Sequence, residues 1–307
     1  MLPNILLVAS QVLMLFLMIA VGWFCAARKI LTKDGADQLS RISLNIITPC
    51  VIIDALQRDR DPQVLAEMGI SIAVGAGTIL LGTALTALLF RRKPAEERRV
   101  LRFAMSYPNS GYMGIPLVQA VLGDGAVLYA ASFVIAFNVV LWTFGVRLMG
   151  GRKEVSLRSA LVNPGTVSFA IGLVLFALNW TLPGPLGGAV TLFAGMNTPI
   201  AMLAIGVFIA FTDLRQCFRR AALYGVCAVR MIVIPAAVLL VLRVLPLSNP
   251  SMTTALIICA SAPTAAATSM FASRYRLDTG LASQLVTLCT LLSIATMPVF
   301  AALAQLA

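Results

Sequence analysis

The sequence predicts an all-α polytopic membrane protein whose ten transmembrane helices form two inverted five-helix repeats, with broken, crossing helices four and nine. Three observations carry this expectation: apolar runs of bilayer length, a one-sided distribution of arginine and lysine, and matching helix-breaking motifs in the two halves. Of 307 residues, 60% are apolar and 11% are charged, against roughly 25% charged in soluble domains. A bilayer core about 30 Å thick needs about 20 apolar helical residues per crossing, so the chain has length for about ten spans and little else.

Apolar runs bounded by charges or turn residues place helices near residues 5–27, 36–57, 64–90, 99–122, 126–149, 159–180, 187–212, 219–243, 251–273 and 279–305. The first is expected to remain as a span. Its "MLPNILLVASQ" lacks basic residues, and the run ends at Arg28 and Lys29 rather than at a small-residue cleavage site. The connections after helices one, three, five, seven and nine hold 19 of the 23 basic residues, among them Arg91, Arg92, Lys93, Arg98, Arg99 and Arg102. The opposite connections hold Arg58, Arg60 and Arg243. The positive-inside rule then sets the basic loops in the cytoplasm and both termini outside, in an inner (plasma) membrane. A split so uneven also supports the span count, since one missed helix would scramble it.

Several function classes fall away. The net charge of +11 lies between apolar spans rather than on one soluble face, so no nucleic-acid partner is expected. Six cysteines show no CxxC or metal-ligand spacing and histidine is absent, so neither a metal nor another cofactor is expected. An intramembrane enzyme would need clustered nucleophile, base or metal ligands that the spans do not supply.

The halves look related. "LNIITPCVIIDAL" (44–56) and "AGMNTPIAMLAIG" (194–206) place a Thr-Pro pair alike in helices two and seven. "FAMSYPNSGYMGIP" (103–116) and "ICASAPTAAATSMF" (258–271) align Ser106 and Pro108 with Ser261 and Pro263. Residues 1–150 and 156–307 are accordingly read as the two repeats. Proline removes a backbone donor and clashes with the carbonyl four residues back, so Pro108 and Pro116 should break or kink helix four. The freed backbone must then line protein or water. Broken helices at corresponding places in two inverted halves point to a transporter's binding site. The second half-helices would begin at Asn109 to Met113 and Thr264 to Thr268, presenting free N–H groups and a positive dipole end suited to an anion. Gly111, Gly114, Ala265, Ala266 and Ala267 would allow close approach there.

On these residues the chain resembles the auxin efflux carrier family of membrane transporters. The matching stretches are "TPCVI", "YPNSGYMGIPLV", Phe137 and Asn138, the "NPG" of Asn163 to Gly165, "NTPIAMLAIG" and "SAPTAAAT". The resemblance implies a scaffold of helices one, two, six and seven that mediates a homodimer, and six remaining helices that carry a small carboxylate across the lipid bilayer. Together with the broken helices it points to a substrate site at Pro108, Asn109, Ser110, Gly111, Tyr112 and Met113, with Asn138 and with Pro263, Thr264, Ala265 and Thr268. Asn109 matches the family's substrate-contacting asparagine, whereas Thr264 stands where a second asparagine would make the pattern symmetrical.

Ion coupling is harder to support. Each acidic residue, including Asp54 and Glu67, lies in a loop or near a helix end, whereas sodium- or proton-coupled symport would call for an intramembrane carboxylate. Uniport or exchange of an organic anion is therefore expected, with export favoured by an inside-negative potential. Arg230 lies about 15 Å into helix eight, near the midplane, where an unpartnered arginine costs at least about 2.5 kcal/mol. Two partners are open to it: the negative C-terminal ends of the first half-helices, around Tyr107 and Ala262, or the substrate carboxylate itself.

Overall fold

A computed structural model of the chain describes residues 2–59, 61–151, 162–218, 220–245 and 247–305. The described residues are helical almost throughout. In chain order the helices are α1 Leu2–Ala27, α2 Lys33–Ile42, α3 Thr48–Ala55, α4 Pro62–Leu88, α5 Ala95–Ser106, α6 Ile115–Leu122, α7 Asp124–Val140 and α8 Val146–Gly150. They continue as α9 Pro164–Ala177, α10 Gly184–Gly195, α11 Asn197–Ala210, α12 Leu214–Cys217, α13 Ala221–Ala228, α14 Ile234–Val244, α15 Pro250–Ser261, α16 Ala267–Arg274 and α17 Thr279–Gln305.

Several starts follow a simple local rule: a side chain that accepts an N-terminal amide, followed by a proline that needs no partner for one. Asp61 accepts from the Gln63 amide at 2.8 Å before Pro62. Asn163 accepts from the Thr166 amide at 3.0 Å before Pro164, and Asn249 from the Met252 amide at 3.1 Å before Pro250.

Proline also explains where helices slip. π-helical turns at Ser43–Ile47, Ser110–Gly114 and Val229–Val233 each run directly into a helix whose second residue is Pro49, Pro116 or Pro235. In each, the amide just before the proline reaches five residues back: Thr48 to Ser43, Ile115 to Ser110 and Ile234 to Val229. A ring that collides with the carbonyl four residues back is accommodated by one extra residue in the turn. A fourth π turn, Leu141–Gly145, joins α7 to α8.

Among the described residues, six helical stretches are long and apolar enough to cross a membrane: 10–27, 62–87, 124–150, 184–210, 222–244 and 279–305. The runs expected at 99–122 and 251–273 fall short because each is interrupted, at Tyr107–Asn109 and at Ala262–Ala266, whereas 36–57 is helical through its π turn to Ala55 and falls short because Asp37, Arg41 and Asp54 dilute its apolar character. That expected at 159–180 begins outside the described residues and continues as α9.

Glycines set how closely the helices approach. α1 lies along α11, where a β-carbon on Gly22 would overlap the Leu203 carbonyl and one on Gly206 the Ile19 carbonyl. α9 and α10 pack on α3, with Gly172 of α9 seated against Leu56 and Ile53. Elsewhere α4 packs on α7 through Gly75, whose β-carbon position is 2.9 Å from the Phe133 carbonyl. One apolar core contains Ile52, Met113, Phe133 and Cys259, and a second contains Phe103, Tyr107, Phe271 and Leu285. The interrupted helices run from one core into the other.

Candidate functional site

Helices α5 and α15 both stop at their prolines, and the two extended segments that follow pair antiparallel at Pro108 and Thr264. The Asn109 amide donates to the Pro263 carbonyl at 2.7 Å, and the Ala265 amide to the Tyr107 carbonyl at 2.9 Å. Backbone that hydrocarbon could not solvate is thus satisfied by the other half of the chain. Pro108 has no amide hydrogen for the Ala104 carbonyl four residues back. Thr264 supplies the missing donor, its Oγ1 lying 3.0 Å from that oxygen. The Tyr107 hydroxyl donates to the Val140 carbonyl at 3.2 Å, and its ring stacks on Phe103 with centroids 4.3 Å apart.

Arg230 is fully buried, at 0% exposure, on the π turn before α14. Its Nε donates to the Ala262 carbonyl at 3.1 Å and its Nη2 to the Ala260 carbonyl. Both oxygens belong to the C-terminal end of α15, where unpaired carbonyls carry negative partial charge. Of the two partners open to Arg230, the geometry has it on the helix end. Its Nη1 is buried with no hydrogen-bond partner.

The other expected residues divide. Asn109 is 5% exposed and makes no side-chain hydrogen bond among the described residues. The Ser110 and Thr268 hydroxyls are buried without partners. Space is open beside Gly111, whereas Gly114 is packed on Cys259, 3.2 Å from its β-carbon position to the sulfur. Tyr112 reaches across to α2, its hydroxyl donating to the Ser40 carbonyl at 3.1 Å. Met113 is in the core. Asn138 packs on the start of α9, its Nδ2 lying 2.8 Å from the β-carbon position of Gly165. After Asn109 the leading amides of the π turn have no intrahelical acceptor. The free amides expected over Thr264 to Thr268 are largely taken instead, Ala265 donating to Tyr107 at 2.9 Å and Thr268 and Ser269 to the Ala265 and Ala266 carbonyls at 2.9 and 3.1 Å.

Two features were hidden from sequence reasoning. Glu67, near a helix end as expected, is 6% exposed rather than solvated. It accepts from the Tyr129 hydroxyl at 2.6 Å, from Asn249 at 3.0 Å to each oxygen and from Gln63 at 3.2 Å, tying α4 and α7 to the N-terminus of α15. The Asn-Pro start of α15 was the available signal, because it marks Asn249 as a cap. Asp54 accepts from Thr191 at 2.6 Å and lines, with Gln57, Arg58, Gln119 and Asp124, a cavity of about 230 Å³ between α3, α6, α7 and α10.

A family described as membrane transport protein matches residues 7–157 and 152–301. An uncharacterized transporter of Methanothermobacter thermautotrophicus is 23% identical over 297 residues, covering 95% of this chain and 96% of the relative. A protein of Rhizobium meliloti provisionally named a malonate transporter is 27% identical over 243 residues, 76% of this chain and 74% of its own. The uncharacterized Escherichia coli transporter YfdV is 21% identical over 215 residues, 66% and 68% of the two chains. The paired broken helices, the multi-pass apolar helices and these matches lead to one assignment: the chain belongs to the membrane transport protein family, that of the auxin efflux carriers.

Proposed function

We propose that the chain is a secondary transporter that moves a small carboxylate by alternating access, as ten spans in two inverted repeats. The observation that carries this reading is the crossover itself. Two chain segments about 155 residues apart break at matching prolines, pair with each other, and resume as helices, the one after Asn109 beginning with amides that have no intrahelical acceptor. An anion there would meet amide donors and the Asn109 side chain, and the Ser110 and Thr268 hydroxyls lie close by in sequence. The division into scaffold and moving helices is supported by packing, since α1, α2, α3, α9, α10 and α11 contact one another. The apolar surface of α9 and α10, with Ile171, Val174, Leu186 and Leu192 exposed, fits either lipid or a second copy of this scaffold. The relative's name makes malonate the first substrate to try.

The test is counterflow of labelled malonate, and of malate and a keto acid, into proteoliposomes with and without imposed sodium or proton gradients. Gradient-independent exchange of at least one carboxylate is expected. No exchange of any of them would overturn the assignment. Orientation is read separately by introducing cysteine at Lys93 or at Pro183 in a cysteine-free chain. An impermeant thiol reagent should label the first only from the cytoplasm and the second only from outside.

A second reading rests on Glu67. A buried carboxylate that bridges the start of α15 to α4 and α7 could carry a proton with the substrate. If exchange instead requires a proton gradient, and Glu67→Gln removes that requirement, coupling replaces uniport.

A further inference from the structure

A second polar feature lies away from the crossover. Near the end of α4 that leads into the basic loop, a cavity of about 290 Å³ is lined by Thr83, by Arg98, Arg99 and Arg102 of α5, by Phe144 on the π turn before α8, and by Arg147 and Leu148 of α8. Four guanidinium groups converge there with no carboxylate in the lining. Among the described residues none of the four forms an ion pair, and the nearby Glu97 is engaged by Lys93 at 3.0 Å. Arg98 and Arg102 are half-buried, one helical turn apart, and the Arg102 Nε is buried with no hydrogen-bond partner. Like charges gathered on one helix face repel each other, and an anion held among them reverses that cost.

The chemistry selects the anion. Guanidinium forks pair with planar carboxylate or with phosphate, and four of them exceed what one carboxylate can accept. A phosphate group offers more charge and more acceptor oxygens. The surroundings bring it to the membrane boundary: α4 ends five residues beyond Thr83, and Phe144, 52% exposed, offers an apolar flank outside the arginines. No residue of α1, α2, α3, α9, α10 or α11 lines the cavity, and neither crossover segment reaches it, so it is separate from the carboxylate site.

We infer that this cavity binds a phosphate-class anion, either the headgroup of an acidic phospholipid or free inorganic phosphate. The full-length protein, purified in neutral detergent, is followed by thermal unfolding during titration with phosphatidylglycerol, phosphatidylcholine or inorganic phosphate. Stabilisation by phosphatidylglycerol alone assigns the headgroup, and stabilisation by inorganic phosphate as well assigns a site open to the free ion. In the R98Q/R102Q variant the half-saturating concentration should rise at least about tenfold, as expected for loss of charge-assisted hydrogen bonds. R91Q/R92Q removes equal charge from exposed positions outside the cavity and should leave the titration unchanged. Failure of both phosphate species to stabilise the wild-type chain overturns the inference, as does an equal loss in the R91Q/R92Q control. Should R98Q/R102Q not fold, R147Q, at an exposed position of the same lining, must weaken the titration several-fold, and an unchanged titration there overturns the inference too.

Discussion

The two sides of the crossover are built differently. On the α15 side the break is tied down: Thr264 completes the Ala104 carbonyl, and Arg230 takes the carbonyls of Ala260 and Ala262. That side keeps the Thr268 hydroxyl and one Arg230 nitrogen unpartnered, but the α5 side leaves its polar groups uncommitted at the break itself, with the Asn109 side chain unpaired, the Ser110 hydroxyl unsatisfied and open space at Gly111. A buried polar group that already has partners holds the fold, whereas one without them is available to a ligand. The matching motifs "SYPN" and "SAPT" therefore divide two tasks, and substitutions on the two sides should separate stability from binding.

The largest effect is expected at Arg230. Its removal leaves two helix-end carbonyls without their donors in a dry site, so Arg230→Ala should cost about 2 to 5 kcal/mol in ligand-free stability. Arg230→Lys should recover much of that, because a point charge still serves a helix end even without the planar fork. An Arg230→Ala protein with unchanged ligand-free melting temperature, but no carboxylate-induced shift, would return Arg230 to the substrate site.

Asn109→Ala should do the reverse. Hydrogen bonds to charged groups contribute about 1.5 to 3 kcal/mol, so carboxylate affinity should fall roughly ten- to a hundredfold while unliganded stability changes little. Isothermal titration beside thermal unfolding reads both quantities. Loss of stability with unchanged affinity would erase the distinction between the two sides. Thr264→Val ranks next. It preserves shape but orphans the Ala104 carbonyl, so about 1 to 2 kcal/mol of stability should go, and Thr264→Ser should restore it.

The features legible in the sequence depend on local chemistry: the helical, multi-pass character, the broken stretch at Pro108, and family membership from its motifs. Features missed in the sequence depend on pairing between distant segments. Thr264 broke the expected symmetry with Asn109, and its reason is a carbonyl 160 residues away that Pro108 left without a donor. Glu67 looked like another acid at a helix end until folding set Tyr129 and Asn249 against it. Asn138 entered the reading through the family motif, and folding adds what the motif could not show, that it packs on Gly165 while Phe137 beside it meets the Tyr107 ring with centroids 5.9 Å apart. Prolines gave the positions of slips but not their form, since a π turn and a full break begin from the same missing amide.

The smallest effect, at Ser110, tests the comparison most sharply because its sign is reversed. Its hydroxyl is buried at the start of the resumed helix and has no hydrogen-bond partner, so the fold bears the cost of desolvating it. Alanine removes that cost and suits a helical turn at least as well. Ser110→Ala should therefore raise the unliganded stability by a few tenths to about 1 kcal/mol. If the hydroxyl meets the carboxylate, the same change should also shrink the stabilisation that malonate gives, so the two melting curves move toward each other from opposite directions. Thr264, whose hydroxyl is engaged, has no such crossover in sign. A Ser110→Ala protein that is less stable without ligand would mean the hydroxyl serves the fold, and the α5 side would then resemble the α15 side.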